Sequence, residues 1–459
     1  MLIVVLLSGS RICAQTNTGE LRIKITDPSG LGLKAKVEIS SSANEYRSTL
    51  TTDDSGNAIA KKLPYGVYRI TVQQPGLAPV SQTMEIRSAL PENYTIQLKL
   101  LSVTTSVRVS GDNTLLDPAR AGSVYQIGSG TIQNRLSSLP GRSLQDLVNS
   151  QPGWLYEGNA VLHPRGSEYD TQFVIDGIPL MDNRSPSFGP EIEADDVESM
   201  SVYTAGFPAE YGRKLGGVVE INTQQSTQAG FHGQAVLSGG SFDTAGAFVQ
   251  AQNVWGKNTI GFSADGNTSG HYLNPVVPQN FTNTGTTGDF SADYERDFTP
   301  SDRLNLSVRH EFSRYLVPNE QLQQAAGQRQ NGDNFETMGI VAYQHTFSSD
   351  VVGDLRGMVR ENSNDLRSNL LSTPIIAFQH TIGSAKDISR AIFPFITAFT
   401  NGRSESNRTT FFCAKTSSAP SPILRVSIQG RLSRSPFPGF PSPTLVAVPI
   451  LSNPLSRKI

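Results

Sequence analysis

The sequence predicts a mainly β protein in three stretches: a small β-sandwich, an α+β unit, and an incomplete antiparallel transmembrane β-barrel. Three observations carry this. Hydrophobic residues are 37% and charged residues 17% of the 459, the remainder being rich in Gly, Ser, Thr, Asn, Gln and Pro; that mix suits many turns and strands that alternate apolar with polar. Short alternating strands with closely spaced turns fill the first hundred residues, and longer alternating runs begin after residue 225. Beyond the N-terminus no apolar run reaches the roughly 18 residues of a membrane helix, so any crossing must be made by strands.

The opening MLIVVLLSGSRICAQ reads as a leader, residues 1–14, with Leu2 to Leu7 as its apolar core and a cut near Gln15. A buried strand is the alternative; Arg11 and the polar TNTGE that follows favour a leader. The two cysteines, Cys13 and Cys413, form neither a disulfide framework nor a metal site. A net charge of -2 gives no reason to expect nucleic acid as a partner.

Residues 19–100 are read as one unit. Leu21, Ile23 and Ile25 alternate with polar residues, as do Val37 and Ile39 and then Tyr68, Ile70 and Val72. Asp27–Gly30 and Asp53–Gly56 are turns. The result is a small sandwich. It resembles the carboxypeptidase regulatory-like, transthyretin-like domain, on Gly19 with its strand, the Asp27 turn, Thr52-Asp53 through Gly56, and Leu63 through Tyr68. Asp53 and Asp54 suggest a calcium loop, but Ala58 and Pro64 stand where it needs Gly and Glu, so a plain turn is expected.

Residues 101–225 differ in pattern. Ser143 is a candidate N-cap, with Leu144, Leu147 and Val148 on one helix face and Pro152-Gly153 as the stop. Phe173-Val174-Ile175 then runs into Asp176-Gly177 and Ile178-Pro179, a strand stopped by a tight turn, because Asp-Gly supplies the positive φ that such turns require. In order come Leu144–Leu147, Arg165-Gly166, Phe173–Pro179, Val197-Glu198 with Val202, Ala209–Gly212 including Tyr211, and Gly216-Gly217 with the strand to Ile221. Six elements in this order over roughly 80 residues resemble the plug domain of TonB-dependent outer-membrane receptors.

Residues 226–378 are read as the first barrel strands. Phe290, Ala292, Tyr294 and Phe298 share one face, and Ser291, Asp293, Glu295 and Asp297 the other. Leu304, Leu306, Val308 and Phe312 alternate likewise, then Val341, Tyr343 and Phe347. The 290–312 hairpin has two strands near 10 residues each, the length that crosses a bilayer at a tilt, and about seven strands are read in all. Short turns near 256, 300 and 349 oppose long connections at 267–288 and 314–333, the asymmetry of an outer-membrane barrel.

From 379 to 459 the pattern fails. Proline recurs at every second or third position in places and no acid follows Glu405. A disordered or frameshifted tail is expected there, and a truncated copy, because about seven strands cannot close a wall of about 22.

No catalytic arrangement is recognisable: the six histidines are scattered, and the hydrolase, zincin and nucleotide motifs are missing. No catalytic, cofactor or metal residues are assigned, and no enzyme is expected. What the resemblance implies is an outer-membrane receptor in a Gram-negative cell, with outer-membrane lipid around it. An unknown extracellular ligand, glycan or peptide ahead of siderophore, would be imported with energy delivered by TonB. The segment TonB pairs with by strand addition is placed at Thr105, Val107 and Val109; a last sandwich strand or a linker is the alternative. Arg165, Gly166, Asp176, Gly177, Tyr211, Gly212, Gly216 and Gly217 are expected to be plug structure, Asp176 for its turn and Arg165 in a buried or lumen-facing charge pair. A secreted or surface β-rich adhesion or carbohydrate-binding protein is the competing reading.

Overall fold

The computed structural model describes residues 18–101, 123–165, 171–180, 184–206, 216–225, 228–348 and 351–368, and the backbone of three short strands beyond. The expected leader, the candidate TonB segment, Gly166, Tyr211, Gly212 and most of the Pro-rich tail lie outside the described residues.

The first unit is a seven-stranded sandwich. Its strands are β1 (Thr18–Thr26), β2 (Lys36–Ser41), β3 (Tyr46–Thr51), β4 (Asn57–Pro64), β5 (Gly66–Gln73), β6 (Val80–Ile86) and β7 (Pro91–Gln97). One sheet has the order β4-β1-β7 and the other β3-β2-β5-β6. Alternation decides which side chains meet between them: Leu21, Ile25, Val37, Ile39, Ile70 and Val72 are sealed from solvent. Asp53 is spent on its own turn, accepting from the Ser55 and Asn57 amides at 2.9 and 2.8 Å.

The second unit is an α+β body. Its strands are β8 (Ser123–Ile127), β9 (Trp154–Tyr156), β10 (Leu162–Pro164), β11 (Thr171–Ile175), β12 (Ile178–Leu180), β13 (Val197–Ala205) and β14 (Gly217–Thr223). Five of them make a sheet of order β12-β11-β14-β13-β8. The helix Ser143–Asn149 packs Leu144, Leu147 and Val148 into the same core as Phe173, Ile175 and Val219. Its N-cap is Arg142 rather than Ser143; the Ser143 hydroxyl instead donates to Glu191 at 2.8 Å and accepts from the Ala194 amide at 3.0 Å. Asp176 and Gly177 have φ of 46° and 79°, so the β11–β12 connection is a two-residue turn with both centres left-handed.

The third unit is a wall of long antiparallel strands: β15 (Gly230–Gly240), β16 (Thr244–Trp255), β17 (Asn258–Ser269), β18 (Gly285–Thr299), β19 (Asp302–Leu316), β20 (Gln330–Ser348) and β21 (Val351–Ser368). A three-residue strand, β22 (Ala391–Phe393), pairs with β21, so the wall reaches into the stretch expected to be tail. Among the described residues the sheet runs in order from β15 to β22 without closing.

Two expectations about the wall need correction. The hairpin strands β18 and β19 have 15 residues each, not about 10, β20 and β21 with 19 and 18 run past the 335–347 and 351–361 read from the pattern, and the long connections shrink to 270–284 and 317–329. The reason is physical. At its upper end the outward face becomes charged, with Arg314, Asp333, Asp365 and Arg367, so the apolar period disappears while the hydrogen-bonded ladder continues. Periodicity measures the greasy band; the ladder measures the strand.

The two faces of the wall differ as the alternation requires. Phe262, Phe290, Val308 and Val341 are 46–50% exposed on the outer side, whereas Ser291, Glu295, Arg309 and Glu311 are buried on the inner side. Eight residues separate Phe290 from Phe298 on β18, a run of about 27 Å; a tilt near 40° brings it to about 21 Å, close to the apolar height of an outer-membrane barrel. Trp255, Phe298 and Phe347 mark the rim with the short turns, and Phe290, Phe312 and Phe335 the opposite rim, as aromatic girdles do.

Candidate functional site

The inner face of the wall holds the second unit by apolar contact and by buried charge. Met338 and Ile340 of β20 belong to the same core as Phe173, Val202 and Ile221. Around them lie ion pairs between residues far apart in sequence. Arg184 of the central unit meets Glu311 at 3.0 Å and Glu336 at 2.6 Å, with side chains at most 3% exposed. Arg360 of β21 reaches the same Glu336 at 2.6 Å. In the reverse sense, Arg309 of the wall meets Asp196 of the central unit at 2.6 Å and Asp289 of its own sheet at 3.1 Å.

Such pairs set position more than strength. Removing both charges from water costs about as much as their attraction returns. A body held this way is fixed in register, yet exchanging its ionic contacts for water carries a small net penalty. Apolar contacts alone would behave differently, since every exposed Å² would count against release.

The end of the central unit away from the short turns carries Leu155, Tyr156 and Phe188, all exposed. Here it touches the loop 270–284. The Asn274 amide donates to Asn159 Oδ1 at 2.7 Å, and the Asn159 amide donates to Asn274 Oδ1 at 3.2 Å. Arg142 donates to Asn274 Oδ1 at 3.1 Å and also to the Tyr272 carbonyl. Tyr272 stacks on Tyr315 with centroids 5.3 Å apart. Below, Arg135 forks onto Asp195 at 2.9 and 2.8 Å. Burial, with Glu193 adjacent, holds the Glu191 carboxyl well above its usual range.

The opposite end faces the sandwich. Asp176 accepts from Thr223 Oγ1 at 2.7 Å and from Lys62 of the sandwich at 3.1 Å. It is thus a turn former that also carries an interdomain ion pair. Gly217 lies where a Cβ would stand 2.7 Å from Trp154 Cη2 and 2.9 Å from the Tyr203 carbonyl; only hydrogen fits. Gly216 is buried beside it. Arg165 departs from expectation: it is exposed, with a left-handed φ of 51°, and no ion pair to it is found among the described residues. The buried alternative for its charge therefore falls. Sequence reading missed Arg184, Arg309, Glu311, Glu336, Lys61 and Lys62 as a set. The inward position of Arg309 and Glu311 on an otherwise apolar-alternating strand was the available signal.

Residues 20–99 match the carboxypeptidase regulatory-like domain, and residues 120–218 match the TonB-dependent receptor plug domain. The TonB-dependent transporter Oar of Myxococcus xanthus is 24% identical over 196 residues, which are 40% of this chain and 18% of that relative. The ferric enterobactin receptor of Pseudomonas aeruginosa is similar over 54% of this chain and 41% of its own, at 17% identity and a TM-score of 0.40. The ferripyoverdine receptor of the same organism is similar over 64% and 43%, at 11% identity and a TM-score of 0.43. This chain thus spans under half the length of these relatives in each match.

A plug seated by buried charge against a wall with an apolar outer face defines the class: a plug-and-barrel protein of the outer membrane. The two domain matches follow one another along the chain, a carboxypeptidase regulatory-like domain and then a TonB-dependent receptor plug domain, the arrangement of a TonB-dependent receptor's N-terminal part.

Proposed function

We propose that this chain imports a polar ligand, of the glycan or peptide class, across the outer membrane with energy delivered through TonB. The observation that carries the reading is the seat: a plug fixed by Arg184 to Glu311 and Glu336 inside a wall whose apolar side chains face outward. A closed path that reopens by exchanging ion pairs for water is what energised import needs. The ligand would meet the apex, where Tyr156 and Phe188 stand exposed near Asn159 and Asn274; flat aromatic faces beside amides suit sugars and peptides. Ferric siderophores, named for the two solved receptors above, are the competing class.

In this reading the chain divides into a regulatory-like domain (19–100), a plug (101–225), barrel strands (226–378) and a tail. TonB would add a strand at Thr105, Val107 and Val109. Arg165 and the Gly216-Gly217 pair serve plug structure.

Carbonate extraction of isolated membranes tests the placement on which import depends. The chain is expected in the outer-membrane pellet. Its release into the supernatant would overturn the reading in favour of a surface adhesion protein.

A further inference from the structure

The sandwich touches both the plug and the wall through one irregular point in its sheet. Along β4 the burial alternates up to Lys61 and then slips. Lys62 has φ of 52°, and the β1–β4 pairing jumps from Gly19↔Leu63 to Leu21↔Ala60. Lys61 and Lys62 together therefore face the single residue Glu20, which is a β-bulge. In a regular strand two successive side chains point to opposite faces. The bulge instead turns both lysines away from the sandwich core.

Each lysine reaches a different body. Lys61 pairs with Glu295 and, at 3.0 Å, with Asp297 on the wall. Lys62 pairs at 3.1 Å with Asp176 in the β11–β12 turn of the plug and lies 3.4 Å from Thr223 Oγ1. Glu20, opposite them, accepts from Arg303 of the wall at 2.5 Å and is 4% exposed. All of this lies at the rim with the short turns, away from the exposed apex. We infer that the Lys61-Lys62 bulge is a two-armed latch, by which the N-terminal domain fastens the base of the plug to the barrel wall and resists its withdrawal.

Three features support a latch over an incidental contact. The left-handed backbone at Lys62 is strained for a residue with a Cβ, and such strain persists where surrounding contacts hold it. The partners are committed: Asp176 also holds Thr223, so the latch grips the turn and the last plug strand together. Burial alone would push the Lys62 amine down, yet Asp176 and its neighbours hold it above its usual value, and burial is likewise outweighed at Asp176 by Lys62 and Thr223. That such a latch would have to open before import rests on the proposed function. The fastening itself does not.

The test is hydrogen exchange on the full chain in outer-membrane fragments, without TonB or ligand. Lys61→Ala with Lys62→Ala is compared with Lys34→Ala with Lys36→Ala, which alters exposed lysines of the same domain. Amides of β11 and β14 are expected to exchange about tenfold faster in the first variant and to be unchanged in the second. Should the sandwich core at β5 also lose protection, Asp176→Asn decides, since it leaves the sandwich sequence intact and keeps a residue that accepts a left-handed turn. Faster exchange of β14 in Asp176→Asn that Lys62→Ala does not increase further upholds the latch, because the two changes then act through one contact. Unchanged exchange of β11 and β14 in the lysine variant, or of β14 in Asp176→Asn, overturns it.

Discussion

One terminal nitrogen of Arg184 in the plug lies 2.6 and 2.7 Å from the two carboxylate oxygens of Glu336 in the wall, and both side chains are buried. The two residues are 152 positions apart in sequence, and they fix plug and wall one against the other. Arg184→Met should leave Glu311 and Glu336 short of a buried partner. Breaking such a pair costs about 3–5 kcal/mol, and the lower end is expected because Arg360 still reaches Glu336 at 2.6 Å. Urea unfolding followed by the fluorescence of buried Trp154, in a Trp255→Phe background, measures it. An unchanged midpoint would mean that the pair does not hold the plug.

Gly217→Ala tests how tightly the plug is packed. The added methyl would meet the Trp154 ring and the Tyr203 carbonyl inside 3 Å, and overpacking of this kind costs about 1–3 kcal/mol. Gly266→Ala, where a Cβ meets nothing within 4 Å, should change stability by no more than about 0.5 kcal/mol. Equal effects from the two would contradict the close approach at Gly217.

Glu198 on β13 gives the plug a pH dependence. Burial pushes its carboxyl up to about 7, with Lys62 opposing and Asp176 adding to the rise. Between an ordinary glutamate value of about 4.3 and about 7, the folded state binds more protons than the unfolded state, so stability falls as pH rises through that window. Glu191 and Glu193 shift in the same direction, so the readout is a difference. The melting temperature of Glu198→Gln should fall less between pH 5 and pH 8 than that of the parent chain. Parallel curves would remove Glu198 as a source.

Much of the fold was legible where one side chain decides its own environment. Phe290 and Ser291 are neighbours with opposite fates, and alternation alone gave both. Asp176-Gly177 announced a left-handed turn because few other pairs accept it. Strand length was not legible, because Arg314 and Asp333 continue the ladder without continuing the apolar period. The latch and the seat were hidden for a different reason. Lys61 meets Asp297 and Arg184 meets Glu336 only after three units have assembled, and a charged residue in a strand does not name a partner more than a hundred residues away.

The outer face of the wall should reject charge. Val341 is half exposed between the two aromatic rims, and Val341→Arg places a cation there at a cost of about 2–4 kcal/mol. Less folded protein should reach the membrane, seen as a reduced heat-modifiable band on gels. The inward, solvent-lined neighbour Gln344→Arg should be tolerated better, and equal yields from the two would argue against a lipid-facing surface.

Quenching by lipid reads that surface most directly. Phe262, 47% exposed near mid-wall, is replaced by tryptophan in a Trp255→Phe background, and the full chain is placed in phospholipid brominated along the acyl chains. The new tryptophan should be strongly quenched while buried Trp154 keeps its emission. Full emission from position 262 in brominated lipid would contradict the barrel, and with it the import of anything through it.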